Sequence, residues 1–182
     1  PGEPALSILV VTHNNVAHIE RCLASLAAAS GGLDHELIVV DNGSDDATPA
    51  LVQRCGAATV LETWRENRGF AAAANHAASL ARGDWLVFLN PDAEARPGSL
   101  ASLVGEGAPA GLRGGRTLRP DGGIEPTSAW RQPTLWSVVC FAFGLGYVAR
   151  RLGRYGHRFT PEAVHLPPTG DGYVDVDVVT GC

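Results

Sequence analysis

The sequence predicts an α/β protein: a mostly parallel central sheet with helices on both faces. Three observations predict it. Apolar runs rich in branched residues occur at 6–11 (LSILVV), 36–40 (ELIVV) and 85–89 (WLVFL), helix-periodic segments separate them, and each run ends abruptly in a polar cluster. Runs that are apolar throughout suit strands buried on both faces. Strands alternating with helices at this spacing imply βαβ crossovers.

The first run stops at Thr12-His13-Asn14-Asn15. Ile19, Cys22, Leu23, Leu26 and Ala27 then fall at helical spacing, with Asn14 or Asn15 available as N-cap and Gly31-Gly32 closing the helix. The second run ends in Asp41-Asn42-Gly43-Ser44-Asp45-Asp46, after which Pro49 suits the first turn of a helix capped by Thr48. A weaker strand is expected over 58–61, a turn over 66–69, and an alanine-rich helix over 70–82 ended by Gly83. The run at 85–89 closes on Asn90, Pro91 and Asp92, with Glu94 following. Pro91 cannot donate a ladder hydrogen bond, so pairing should stop there and leave Asp92 in a pocket.

A chain of 182 residues with 45% hydrophobic content can bury an ordinary core. Its formal net charge of -5 argues against a nucleic-acid partner reached through a basic field. The strongly basic side chains are all arginine, and there is no methionine. That absence, and an end at Thr180-Gly181-Cys182 after an apolar run, lead to the expectation of further residues beyond Cys182. The four cysteines lie far apart without a C-x-x-C pair, which disfavours zinc and a dense disulfide framework and favours reduced thiols in the cytosol. The opening PGEPA has no signal-peptide pattern.

In an open parallel sheet, ligands bind beyond the carboxyl ends of the strands. The clusters at 12–15, 41–46 and 90–94 should therefore meet at one rim. They supply hydroxyl and amide donors, a carboxylate able to accept from a base or ribose, and a carboxylate for a hard cation. That set suits a nucleotide whose phosphates are carried by a metal ion. No G-x-G-x-x-G follows Val11 and no G-x-x-x-x-G-K-[ST] occurs, so dinucleotide and P-loop readings lose their mechanical basis. Plainer readings stand beside these. Asp41-Asn42-Gly43 is also a turn signal, Asp45 and Asp46 also suit a helix cap, and Asn67 and Gly69 alone would be a turn. His13, His76, His157 and His165 have no second histidine at metal spacing and are read as loop residues.

The pieces SILVVTHNN, ELIVVDNGSDDAT, ENRGFAAAANHA, GDWLVFLNPDAE, RPDGGIEPTSAWRQP and VDVDVVTGC, in that order, resemble the inverting glycosyltransferases of family 2. These have the GT-A fold, and the similarity is to their rhamnosyltransferase-like branch. The resemblance implies that Thr12 and Asn14 contact a nucleotide and that Asp41 recognises a uracil- or thymine-type base, with Ser44 and Asp45 in the following loop. It implies that Asn67, Gly69 and Asn75 face the donor, with Arg68 adding charge near phosphate. Asn90-Pro91-Asp92 matches the family's metal motif, so that Asp92, with Asn90 nearby, would hold Mg²⁺ or Mn²⁺. The general base is expected beyond Cys182, with Asp177 a weaker candidate. The implied reaction moves a sugar from a UDP- or dTDP-sugar to a glycan or lipid-linked acceptor in cell-envelope polysaccharide biosynthesis.

On this reading, 1–104 is the donor-binding half and 105–182 the start of an acceptor-side half. The apolar run at 134–148 is too short for a spanning helix of about 20 residues. Short apolar runs usually pack into a core, and this one is expected to pack on the domain or on residues beyond Cys182. Its alternative, with Arg150, Arg151, Arg154 and Arg158 following, is peripheral contact through 134–158 with the inner face of a membrane. Two other functional classes stay open: a sugar-nucleotide nucleotidyltransferase, for which THNN is a poor phosphate loop, and a non-catalytic nucleotide-binding or scaffolding module.

Overall fold

Strands β1 (Leu6–Thr12), β2 (His35–Asp41), β3 (Val60–Thr63) and β4 (Trp85–Leu89) form an all-parallel sheet in the order β3-β2-β1-β4. The computed structural model describes residues 3–104, 111–118, 129–130, 135–143, 145, 151 and 178–179. Strand β1 is central, and all seven of its residues are buried, as an apolar strand paired on both sides requires. Helices α1 (Ile19–Ala29), α2 (Thr48–Cys55), α3 (Phe70–Leu80) and α4 (Ser99–Val104) connect and follow the strands.

Alternate strand residues point to opposite faces, and each face has its own core. Leu6, Ile8, Val10, Leu37 and Val39 pack with Ile19, Leu23 and Leu26 of α1, Leu51 and Val52 of α2, and Leu100 of α4. Leu9, Val11, Ile38 and Val40 pack against Ala73, Ala74 and Ala77 of α3. Both faces of the sheet are covered, as expected.

Several boundaries differ from expectation for local reasons. The cap of α1 is His18, whose N–H, like that of Ile19, donates to the Asn15 carbonyl; neither Asn14 nor Asn15 caps through its side chain. Thr48 is the first residue of α2 rather than its cap, and its N–H is taken by Asp46 Oδ1 at 2.9 Å. The third strand begins at Val60, two positions late, because Thr59 is already tied to Leu37 through its N–H and its hydroxyl. Of the run at 85–89 only Val87 is buried. Leu86 and Phe88 are exposed because β4 is the last strand of the described sheet and α3 packs over β1 and β2.

Helix α3 stops at Leu80, short of the expected 82, because the chain beyond it is drawn to a buried acid. Glu36, 3% exposed, accepts from Ser7 Oγ and Arg82 N, both at 2.6 Å, and from the Arg82 guanidinium at 2.8 and 3.1 Å. Ser7 Oγ in turn accepts from Gly83 N at 2.9 Å. A Cβ at Gly83 would lie 2.7 Å from Ser7 N, so only glycine lets the turn approach β1 this closely.

The chain divides into two compact units, Pro1–Ala108 and Pro109–Cys182. In the second, β5 (Ala129–Trp130) pairs antiparallel with β6 (Val178–Val179), and α5 (Leu135–Ala142) carries the apolar run. Leu135, Trp136, Val138 and Phe143 are exposed, and Cys140 is buried. Within this chain Cys140 is packed and those four are not. Among the described residues no helix is long and apolar enough to cross a membrane.

Burial alone would raise the Glu36 carboxyl, but the bonds from Ser7 and Arg82 and the Arg82 charge outweigh it and hold it below the usual carboxylate range. A depressed folded value stabilises the fold above the unfolded value and is lost as pH falls through the folded one. Glu36→Gln should therefore cost about 1–3 kcal/mol at neutral pH. In urea unfolding followed from pH 7 downward, the gap between wild type and variant should close in the acid range below the ordinary carboxylate value. A constant gap would contradict this.

Candidate functional site

Strands β2 and β3 lie to one side of β1 and β4 to the other, so the direction of winding reverses between β1 and β4. Outside the carboxyl ends of two such strands the connections diverge and leave a crevice. Thr12 is in register with Asp41, and Asp41 with Thr63; Leu89 is level with Val10. The residues after β4 thus emerge beside the end of β1, and the three polar clusters share one rim.

The loops after β1 and β2 are joined through side chains. Asp41, fully buried, accepts from Ser44 twice, from the hydroxyl at Oδ1 (2.5 Å) and from N–H at Oδ2 (3.0 Å), forming an Asx-type turn. Asn14 adopts a positive φ of 55°, tolerated because its short side chain bonds locally: Oδ1 accepts from Asp45 N, while its own N–H donates to Ser44 Oγ. Thr12, also buried, donates to Asn15 Oδ1, which also accepts from His13 N. Asn15 N donates to Thr48 Oγ1 and Val16 N to Asp46 Oδ2. The Thr48 hydroxyl, and then the Thr48 and Val16 N–H groups, hold Asp46 below the usual range; Asp46 clasps the two loops, while the cap position of α2 falls on Ala47.

A residue absent from the sequence-based candidates joins the next loop. Asn42 Nδ2 donates to Asn67 Oδ1, and Asn42 Oδ1 accepts from Arg68 N, each at 2.9 Å; Asn67 Oδ1 also accepts from Gly69 N. Gly43 sits at φ 76°, and a Cβ there would lie 2.5 Å from the Glu66 carbonyl carbon, so the 41–46 loop closes directly onto 66–67. The Asn-Gly pair reads as a turn in sequence; the extra signal was an amide that can donate and accept at once. Gly69 caps α3 at φ 85°, and Asn75 is exposed on that helix. Arg68 stacks over Trp64, 4.8 Å from the ring centroid, and on Trp64 also rests His76, which lies in α3 rather than in a loop.

Across the crevice, Ala93 N donates to the Asn90 carbonyl at 3.1 Å, closing a turn with Pro91 and Asp92 at its centre. Asp92 is exposed and Asn90 half-buried. The buried Cys22 thiol donates to the same Asn90 carbonyl at 3.6 Å. Burial first, then the charges of Asp92 and Glu94, push this thiol up to about 12, so it stays protonated as a donor. Among the described residues no three His, Cys, Asp or Glu side chains gather as a metal cluster. The donor set fits a cation that needs one protein carboxylate and takes its remaining ligands from a bound diphosphate and water. Asn14, Ser44 and Asp41 form one hydrogen-bonded group, and Thr12, Asn42, Asn67 and Gly69 a second that adjoins it at Asp41-Asn42; Asp92 follows β4, on the other side of β1. Asp177 and Cys182 lie outside the described residues, as do His157 and His165.

Residues 7–108 match the model of the family described as Glycosyl transferase family 2, a span that runs from Ser7 of β1 through α4. The chain belongs to this family. An N-acetylglucosaminyl-diphospho-decaprenol L-rhamnosyltransferase of Mycobacterium tuberculosis is 34% identical over 145 residues, covering 71% of this chain and 46% of the relative. Succinoglycan biosynthesis protein ExoO of Rhizobium meliloti is 36% identical over 111 residues, covering 60% and 32%. A solved mannosyltransferase, PcManGT from Pyrobaculum calidifontis in complex with GDP-Man and Mn²⁺, aligns at TM-score 0.49 with 28% identity, covering 57% of this chain and 31% of that one. The family 2 chain thus spans less than half the length of the curated relatives named here.

Asn42 is the single side chain bonded to both Asn67 and the Arg68 backbone. Asn42→Ala should lower stability by about 1–2 kcal/mol, since it removes a buried amide that makes two hydrogen bonds. Chemical denaturation checks the value; a loss within about 0.5 kcal/mol, typical of an uninvolved surface position, would contradict it.

Proposed function

We propose that the chain is the donor-binding part of an inverting glycosyltransferase that uses a UDP- or dTDP-sugar and a divalent cation, with residues 1–104 as the donor half. The observation that carries this reading is the pairing, across one switch-point crevice, of a networked nucleotide-type rim with a single exposed carboxylate on a proline turn. Thr12, Asn14, Asp41, Ser44, Asn67, Gly69 and Asn75 are assigned to the nucleotide side, and Asp92, with Asn90 nearby, to the metal.

Asp41 and Ser44 hold the rim in shape, and a base would share the Asp41 carboxylate with the Ser44 hydroxyl and N–H, which take one lone pair on each oxygen. Asn67, pinned by Asn42, sets the entry to α3 and so the approach of Gly69 and Asn75 to the donor. Asp92 would hold Mg²⁺ or Mn²⁺, which supplies charge to stabilise the departing diphosphate. Inversion also needs a base to take the acceptor hydroxyl proton. We assign none among the described residues, and Asp177 remains the weaker candidate.

The nucleotidyltransferase alternative asks the loop after β1 to cradle phosphate with backbone N–H groups. The N–H groups of His13, Asn14, Asn15 and Val16 are all occupied by side chains of the protein, which weighs against it. A lipid-linked acceptor is supported by the similarity to an N-acetylglucosaminyl-diphospho-decaprenol L-rhamnosyltransferase. The exposed Leu135, Trp136, Val138 and Phe143, followed in sequence by the arginines of 150–158, support peripheral contact at the inner face of a membrane.

Titration calorimetry tests the reading. UDP or dTDP should bind in the presence of Mn²⁺, and Asp92→Ala should weaken that binding by about tenfold or more, roughly 1.4 kcal/mol. Binding of neither nucleotide, or affinity indifferent to Asp92→Ala, defeats it.

A further inference from the structure

Helix α1 does more than cover the sheet. The segment that follows β4 runs along it, held at successive points. The Arg21 guanidinium meets Glu94 at 3.4 Å, the Cys22 thiol donates to the Asn90 carbonyl, and Ser25 Oγ accepts from Ala95 N at 3.0 Å. Further along, the Ala28 carbonyl accepts from Gly98 N at 2.9 Å. These contacts bracket Asp92: one fixes the carbonyl that closes its turn, and the others fix the chain just beyond.

They differ in strength. Arg21 and Glu94 are both more than half exposed, so their pairing adds little. A thiol is a weak donor. Ser25 is better placed. Its hydroxyl proton is committed to the Cys22 carbonyl, one turn back, at 2.7 Å, which leaves its lone pairs aimed at the Ala95 N–H. The bond captures a backbone donor that, three residues after Asp92, would otherwise be supplied by water.

The geometry points to Ser25 as a positioning residue for the metal turn: by holding Ala95, with Cys22 holding Asn90, it keeps the Asp92 carboxylate presented toward the crevice. This rests on the reading of Asp92 given above. Ser25 touches neither nucleotide nor metal, and nothing links it to the Asn14–Asp41–Asn67 network, so its effect is confined to the metal-dependent part of binding.

The test measures the affinity of whichever of UDP and dTDP binds the wild-type chain, with saturating Mn²⁺ and with EDTA, and takes the ratio. Ser25→Ala suits the helix, since alanine is its best former, so folding is retained. Losing one such bond should cut the Mn²⁺-dependent enhancement by about fivefold while the EDTA affinity stays within twofold. Ser25→Thr keeps an oxygen able to bond one turn back and should restore the ratio. Cys22→Ala should give a smaller loss of the same kind. An unchanged ratio in Ser25→Ala overturns the proposal and leaves the Asp92 reading intact, as does an equal fall in both affinities or a threonine that fails to restore the ratio. A wild-type chain whose nucleotide affinity ignores Mn²⁺ overturns the Asp92 reading itself, and the proposal with it.

Discussion

The buried carboxylate of Glu36 sets where everything else in the first unit stands. It lies at the amino end of β2, in register with Ser7 of β1, and together they hold the Arg82-Gly83 turn that feeds β4. Parallel strands have no hairpin to fix their pairing, so register depends on packing and on locks of this kind. A slip of one residue would move the end of β4 by about 3.3 Å and send its side chains to the opposite face. The turn bearing Asp92 would then miss the level of Thr12. The lock is at one end of the sheet and its consequence is at the other.

At the rim the polar residues serve the fold first. A loop beyond a buried strand carries N–H groups that must find partners, and here Ser44, Thr48, Asn15 and Asp46 supply them. Asp41 takes part from full burial, its charge met by the Ser44 hydroxyl and N–H. Asp92 differs: it is exposed, and its turn closes through backbone atoms that leave the carboxylate unspent. Two acids beyond the strands that flank β1 thus have opposite environments, one buried and tied to Ser44, the other exposed.

The strands and their polar ends were legible in the sequence because each rests on a local pattern. LSILVV and ELIVV announce buried strands, and Pro91 announces where pairing stops. Family 2 membership agrees with the motifs that follow one another along 7–108. What was not legible is what a side chain does across distance. Asn42 looks like half of a turn, yet it is a bridge to Asn67 and Arg68. Thr48 looks like a cap, yet its hydroxyl serves Asn15, because a nearer carboxylate, Asp46, had taken its N–H. Glu36 opens the otherwise apolar run ELIVV, and nothing beside it names Arg82, 46 residues away, as its partner. Periodicity reports which face a residue occupies and is silent about which distant group meets it there.

On the proposed reading, the single carboxylate also constrains the order of events. Magnesium sheds water reluctantly and manganese binds weakly to one oxygen donor, so Asp92 without a nucleotide offers a poor site for either. Among the described residues Asp92 belongs to no cluster of three metal-ligating side chains, and Glu94 pairs with Arg21. Affinity must therefore come from the diphosphate, which brings several oxygens already bearing charge. Cation and nucleotide then arrive as one coupled unit, each strengthening the other by the same factor, because linkage is reciprocal. Such a site has no need of a preformed metal cage. It needs a turn rigid enough that one carboxylate, on a chain held along α1, meets the incoming ion without being ordered at that moment.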